Sequence, residues 1–257
     1  MLDLSYFQNS GNVNTQTFTN AGSWVTWQKP RGAKFVNILC IGAGGGGAGG
    51  VSSSISTRGF AGGGGGSGGI VRAQFAASIL PDTLYIYTGV GGSGSLGSSN
   101  STFNSASNGE KSYVCIIPDT SSIQNIVVTS GAISARGSIG NGGASGETIA
   151  TTAAAIFLNL GTFLAIAGSA GSLGGAVSAG TSITPAPAAM ITLGGCGGGA
   201  ANASGGYVLS GYYPAIAGAA TVAGVTGNNG ASGLILYKPV LSFMGGTGGG
   251  GSTTTGG

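Results

Sequence analysis

"FVNILCIGAGGGGAGG", Phe35 to Gly50, decides the fold. It opens with β-branched and apolar residues at the density of a strand. It then runs into glycine, which costs ~0.5–1 kcal/mol relative to alanine wherever it is held in one backbone conformation. A second glycine run, "GFAGGGGGSGG" (Gly59 to Gly69), leads straight into another strand-like stretch, "IVRAQFAASIL". With 57 glycines in the chain, a folded form needs a geometry that only glycine permits. One candidate is the extended helix of the polyproline II type, with three residues per turn, a rise of ~3.1 Å per residue and no hydrogen bonds within itself. Without Cβ atoms, such helices can stack closely and bond sideways, so that every buried backbone group finds a partner.

Composition removes the simpler alternatives. Of 257 residues 41% are hydrophobic, and the net charge is only +3, so the low hydrophobicity and high charge of disordered chains are both missing. Glycine comes in clumps and proline occurs seven times, which excludes a collagen repeat. No Asp, Glu, Lys or Arg occurs between Glu147 and Lys238. So long a span without a solvated face is expected to be buried in an assembly or packed on itself. Within it, Ala153 to Val177 has the length of a spanning helix. Gly, Ser and Asn punctuate that run and no Lys or Arg flanks it, so the expectation is hydrophobic strands or a buried turn, without membrane insertion.

The start, "MLDLSYFQNS", carries Asp3 and lacks the positively charged n-region of a secretory signal. Residues 1–14 read as a lead-in or attachment segment and 15–257 as one glycine-rich β domain. Strand-like text recurs at Gln16 to Pro30, Ala33 to Gly42, Ile70 to Leu80, Thr83 to Val90, "SYVCIIP", "IQNIVVTSGAISA" and Gly233 to Phe243. No long, well-capped amphipathic helix is present; the most helix-prone text is Thr148 to Leu160. Strands interleaved with glycine clumps indicate an all-β fold: an antiparallel β-sandwich or jelly-roll-like core, with polyglycine II-type segments packed against it.

The chemistry is read mostly by exclusion. Gly42, Gly44 and Gly47 satisfy G-x-G-x-x-G, but poor helix formers follow and no acidic residue lies ~20 positions on, as a dinucleotide site requires. "GGSGG" (Gly65 to Gly69) fits the nucleophile-elbow pattern, yet the chain has no histidine, so no Ser-His-Asp triad can be built. Cys40, Cys115 and Cys196 are too isolated for a metal site or a disulfide framework and read as buried thiols. Asp82 and Asp119 each follow a proline and read as turn residues. "KPRGAK" (Lys29 to Lys34) is the one basic cluster, too sparse for a phosphate-binding stripe, and reads as a solvated turn. No enzymatic activity, cofactor, metal or nucleic-acid partner is expected.

From Phe18 to Gly50 the sequence resembles the glycine-rich proteins of bacteriophage virions, commonly tail-fibre or appendage proteins. The matching residues are Gly22, Ser23, Trp24, Trp27, Lys29, Pro30, Ile41, Gly42, Ala43 and Gly44. A second similar block runs from Gly64 to Gly92, where "LPDT" leads into a strand ending in "GVGG". The resemblance covers roughly the first ninety residues, and the rest by composition. It implies stacked polyglycine II helices beside a β core, and a structural role in a phage particle as a tail fibre, spike or similar appendage. Other virion proteins and further copies of the chain would be its partners, with a host surface receptor or glycan as a further one. The alternative is a capsid-decorating or other virion protein without receptor contact. Tyr207, Tyr212 and Tyr213, in "GGYVLSGYYPAIAG", are the candidate receptor contacts, as aromatics able to stack on sugars or dock in a pocket; the competing reading packs them on the core.

Overall fold

The computed structural model describes residues 13–53, 59–60, 62–97, 104, 106–120, 125–129, 131, 160–166, 192–193, 212–213, 216–217, 234–236, 242–244 and 252–253. In chain order the strands are β1 (Trp24–Gln28), β2 (Phe35–Ile41), β3 (Val51–Ser53), β4 (Gly59–Phe60), β5 (Ile70–Ala76), β6 (Thr83–Tyr87), β7 (Ser112–Cys115), β8 (Asn125–Thr129) and β9 (Gly161–Ile166). Shorter strands follow: β10 (Thr192–Leu193), β11 (Tyr212–Tyr213), β12 (Ile216–Ala217), β13 (Leu234–Leu236), β14 (Ser242–Met244) and β15 (Ser252–Thr253). Among the described residues the helical content is one 3₁₀ turn, Ala77–Ile79. The fold is all-β, and its sheets are antiparallel apart from the short β10–β14 and β3–β15 pairs.

Two sheets share one core. The first has the order β1-β6-β7-β8 and the second β2-β5-β9. The alternation in β5 shows why: Val71, Ala73 and Phe75 are buried, whereas Arg72, Gln74 and Ala76 are exposed. Val36, Ile38 and Cys40 of β2 join them, and Phe163 of β9 meets Phe75 edge-on, ring centroids 5.4 Å apart. From the other sheet come Leu84, Val114, Ile126 and Val127, with Leu80 from the connection. The β7–β8 ladder shifts register after Val114, which pairs with Val127 while Cys115 pairs with Asn125; Ile126 is the extra residue, and Ile126 and Val127 are buried in succession.

The chain crosses between the sheets after β1, after β5 and after β8, and Lys29 ties the first two crossings together. Leaving β1, it turns through Pro30–Ala33, where Ala33 N–H donates to Pro30 O at 3.3 Å and Gly32 takes φ +77°. That positive φ at the third turn position is the reason for glycine there. Returning from β5, it passes the 3₁₀ turn and Pro81-Asp82. The Lys29 ammonium donates to Ala77 O at 2.9 Å and Leu80 O at 2.7 Å, and pairs with the Asp82 carboxylate at 2.9 Å. Arg31 and Lys34 are solvated as the sequence suggests, but Lys29 is drawn inward.

Most strands lie where the sequence places them. The stretch Gly233 to Phe243, read as one strand, is two, β13 and β14, paired antiparallel with Leu234 opposite Met244. Pro239 lies between them and cannot donate to a ladder. Within the apolar span, β9 pairs with β5 along its whole length. Thr148 to Leu160 lies outside the described residues except for Leu160. No described helix is long and apolar enough to cross a membrane.

Candidate functional site

The glycine segments extend the two sheets and join them. In the second sheet β2 and β5 pair with Ile41 opposite Ile70. Past the sheet the same register carries on through backbone N–H···O bonds from Gly42 to Gly69 (2.9 Å), Gly45 to Gly66 (2.9 Å) and Ala48 to Gly63 (3.0 Å). In the first sheet Tyr87 lies opposite Tyr113. Its register likewise continues, with Glu110 N–H donating to Val90 O and Ser107 N–H to Ser93 O, both at 3.0 Å. In both extensions the bonds recur at every third residue.

Backbone bonds also run between the extensions. Ala43 and Gly46 donate to Glu110 O and Ser107 O at 3.2 and 3.1 Å, while Gly44 O and Gly47 O accept from Gly92 and Ser95 at 2.8 and 3.0 Å. Successive residues of Gly42–Ala48 therefore address three neighbours in turn: 62–69, then 104–110, then 90–97. Packed sheets normally stand ~10 Å apart because side chains fill the gap. Here main chains from the two sheets bond directly, and side-chain-free residues are what allow it. A Cβ on Gly46, Gly49, Gly62, Gly65, Gly68, Gly92 or Gly109 would collide with a neighbouring carbonyl.

Side chains sit where the period leaves room. Val90, Ser93 and Leu96 are exposed at every third position of their segment, while Gly92 and Ser95 between them are buried. Ser95 uses its hydroxyl at the far end, accepting from Gly49 N–H at 2.6 Å and donating to Asn104 O at 2.7 Å. Ser67 of the nucleophile-elbow pattern is buried in this bundle. Gly42, Gly44 and Gly47 of the G-x-G-x-x-G pattern are bonded to neighbouring segments through their main chains.

Where the bundle leaves the first sheet, three aromatic rings cluster on the face away from the core. Trp24, Tyr87 and Tyr113 occupy one cross-strand row of β1, β6 and β7. Ring centroids are 5.3 Å apart for Trp24–Tyr87, 6.1 Å for Tyr87–Tyr113 and 6.4 Å for Trp24–Tyr113. Strands two apart in a sheet are separated by ~9–10 Å, so the outer rings lean toward each other across Tyr87. The Tyr87 hydroxyl donates to Glu110 Oε2 at 2.8 Å, and Val90 N–H donates to the same oxygen at 3.2 Å. That hydrogen bond is the main cause holding the Tyr87 phenol above its usual pKa. Tyr113 is raised chiefly by burial, with the Glu110 charge adding to it.

Of the tyrosines singled out in the sequence, Tyr207 lies outside the described residues. Tyr212 and Tyr213 form β11, paired with Ala217 and Ile216 of β12. Asp82 sits at its expected bend, and Asp119 closes a tight turn by donating its N–H to Ile117 O at 2.7 Å. Cys40 and Cys115 are buried, and burial pushes the Cys115 thiol up to about 12; Cys196 lies outside the described residues. An open cleft of about 470 Å³ borders Lys29, Arg31, Ser78 and Asp82. The three Lys29 N–H groups are already directed at acceptors, so it offers a ligand little beyond Arg31. The aromatic cluster was missed in the sequence because its members lie far apart in the chain; a register pairing Trp24 with Tyr87 and Tyr87 with Tyr113 was the signal needed. No protein-family model matches the chain, and no curated protein matches it.

Proposed function

We propose that the chain is a structural component of a bacteriophage particle, a tail fibre, spike or similar appendage. The observation that carries this reading is the four-segment backbone bundle. Bonds at every third residue, three neighbours addressed in turn and glycines at which a Cβ would collide with a neighbouring carbonyl fit polyglycine II helices. Set on a core shared by two antiparallel sheets, such a bundle is a stiff body that presents few charges and few side chains. Stiffness of this kind suits a part that projects from a particle or spans its subunits. The resemblance of Phe18–Gly50 and Gly64–Gly92 to glycine-rich virion proteins supports the same conclusion, and the uncharged stretch between Glu147 and Lys238 suits burial among copies of the chain or other virion proteins.

The test is location. Gold-labelled antibody against the purified chain, applied to intact particles produced with it, should decorate the tail or its appendages in electron micrographs. Label confined to the capsid shell would favour the decorating role, and bare particles would remove the proposal.

A further inference from the structure

We propose that Trp24, Tyr87, Tyr113 and Glu110 form a binding site for an alkylated ammonium group, the headgroup chemistry of choline. The inference is independent of the particle role. Three observations carry it.

The first is the ring geometry. Mutual centroid distances of 5.3–6.4 Å, with interplanar angles of 39–62°, leave the rings neither stacked flat nor splayed. A cation resting against the cluster can lie within the ~6 Å of several centroids over which a ring quadrupole attracts it. The second is exposure. All three rings are only partly buried, on the face of the sheet opposite the core, and core packing does not account for them. Trp27, three residues from Trp24, packs on the core instead.

The third is charge. The Glu110 carboxylate accepts the Tyr87 hydroxyl and is exposed. A phenol that donates to a carboxylate has a more electron-rich ring, and so attracts a cation more strongly. The Tyr87 phenol is raised chiefly by its hydrogen bond to Glu110, and the Glu110 charge adds a smaller part to the rise that burial gives Tyr113. Lys111 is adjacent in sequence and solvated, so its opposing charge is screened by water and salt. A methylated ammonium suits the site better than Lys-type NH₃⁺, because its methyl groups bury against ring faces and it has no N–H left to desolvate.

The experiment titrates the full chain with choline and with 3,3-dimethylbutan-1-ol, its uncharged isostere, following the ring-proton resonances of Trp24, Tyr87 and Tyr113. Choline should saturate at roughly millimolar concentration, and the neutral alcohol should bind roughly two- to fivefold more weakly. Glu110→Gln keeps an acceptor for Tyr87 and removes the charge; it should weaken choline by a similar factor and leave the alcohol unchanged. Trp24→Leu should weaken both. Should Trp24→Leu fail to fold, Tyr113→Leu serves in its place. Vesicles of phosphatidylcholine, compared with vesicles of phosphatidylglycerol, distinguish a membrane headgroup from the free cation: cosedimentation with the former alone assigns the headgroup, and binding of choline without cosedimentation assigns the soluble cation. Equal response to choline and the alcohol, or no saturable response to choline, overturns the proposal. So does stronger binding of a neutral trisaccharide such as maltotriose, which would make the cluster a sugar platform.

Discussion

Adding one methyl group at Gly65 should be among the most damaging small changes to the bundle. A Cβ there would lie 2.6 Å from both the Gly45 carbonyl carbon and the Gly46 oxygen, and closer still to the Gly45 oxygen. These are main-chain atoms and cannot swing aside as a side chain would. Overpacking of this kind costs ~1–3 kcal/mol. Pushing the segments apart also strains the bonds from Gly45 to Gly66 and from Ala48 to Gly63, each with a net worth of ~1 kcal/mol. Against this, alanine restricts the unfolded chain and returns ~0.4–1 kcal/mol. The balance is a loss of about 2–3 kcal/mol, or ~5–10 °C in Tm for a chain of this size. Two controls separate the causes. Gly91 has open space around it and no left-handed φ, so Gly91→Ala should be neutral or stabilising by ~0.4–1 kcal/mol. Gly32 has space but φ +77°, so Gly32→Ala should cost ~1 kcal/mol through backbone strain alone. Thermal unfolding followed by far-ultraviolet circular dichroism ranks the three. A Gly65→Ala protein as stable as Gly91→Ala would refute the close-packed bundle.

Four further outcomes are expected. Lys29→Met keeps the apolar stem but leaves two inward carbonyls without their ammonium, and should cost ~2–3 kcal/mol in urea unfolding, whereas Asp82→Asn, at an 88% exposed side chain, should cost under ~1 kcal/mol. Phe75→Ala, at the largest fully buried side chain among the described residues, should cost ~3–5 kcal/mol by the same measurement. Burial pushes the Cys115 thiol up to about 12, from an ordinary value of 9.0. The unfolded chain therefore binds fewer protons above pH 9, and stability should fall through the window from 9 to about 12, by ~1.4 kcal/mol per pH unit at most for this group. Tyr87 and Tyr113, raised in the same direction, steepen that loss above pH 10. At pH 7 Cys115 should resist a thiol reagent until the chain is denatured; immediate modification would contradict its burial.

Legibility of the fold followed the scale of the signal. β2 and β5 were readable because dense β-branched and apolar text ends abruptly at glycine, and the alternation of Val71, Arg72, Ala73, Gln74 and Phe75 carries the core face on its surface. The need for a side-chain-free geometry was readable from the clumps themselves. Its period was written more faintly: Val90, Ser93 and Leu96 mark every third residue, but no rule of helix or strand reading looks for that spacing. Lys29 looked like one member of a solvated basic turn, since its three acceptors come from a connection about fifty residues away. The aromatic cluster was hidden for the same reason. Trp24, Tyr87 and Tyr113 each look like ordinary strand residues until the register of β1, β6 and β7 sets them side by side. Tyr212 and Tyr213 stood out only because they are neighbours in the chain, which says little about what a sheet brings together.

Amide hydrogen exchange across Gly42–Ala48 tests the central claim most directly. If the glycine segments are hydrogen-bonded into one body with the two sheets, the amides of Gly42, Ala43, Gly45, Gly46 and Ala48 should exchange slowly, with protection approaching that of core residues such as Val71 and Leu84. Exchange of these glycine amides at the rates of an open chain, while the strands stay protected, would reduce the segments to loose connections and contradict the account.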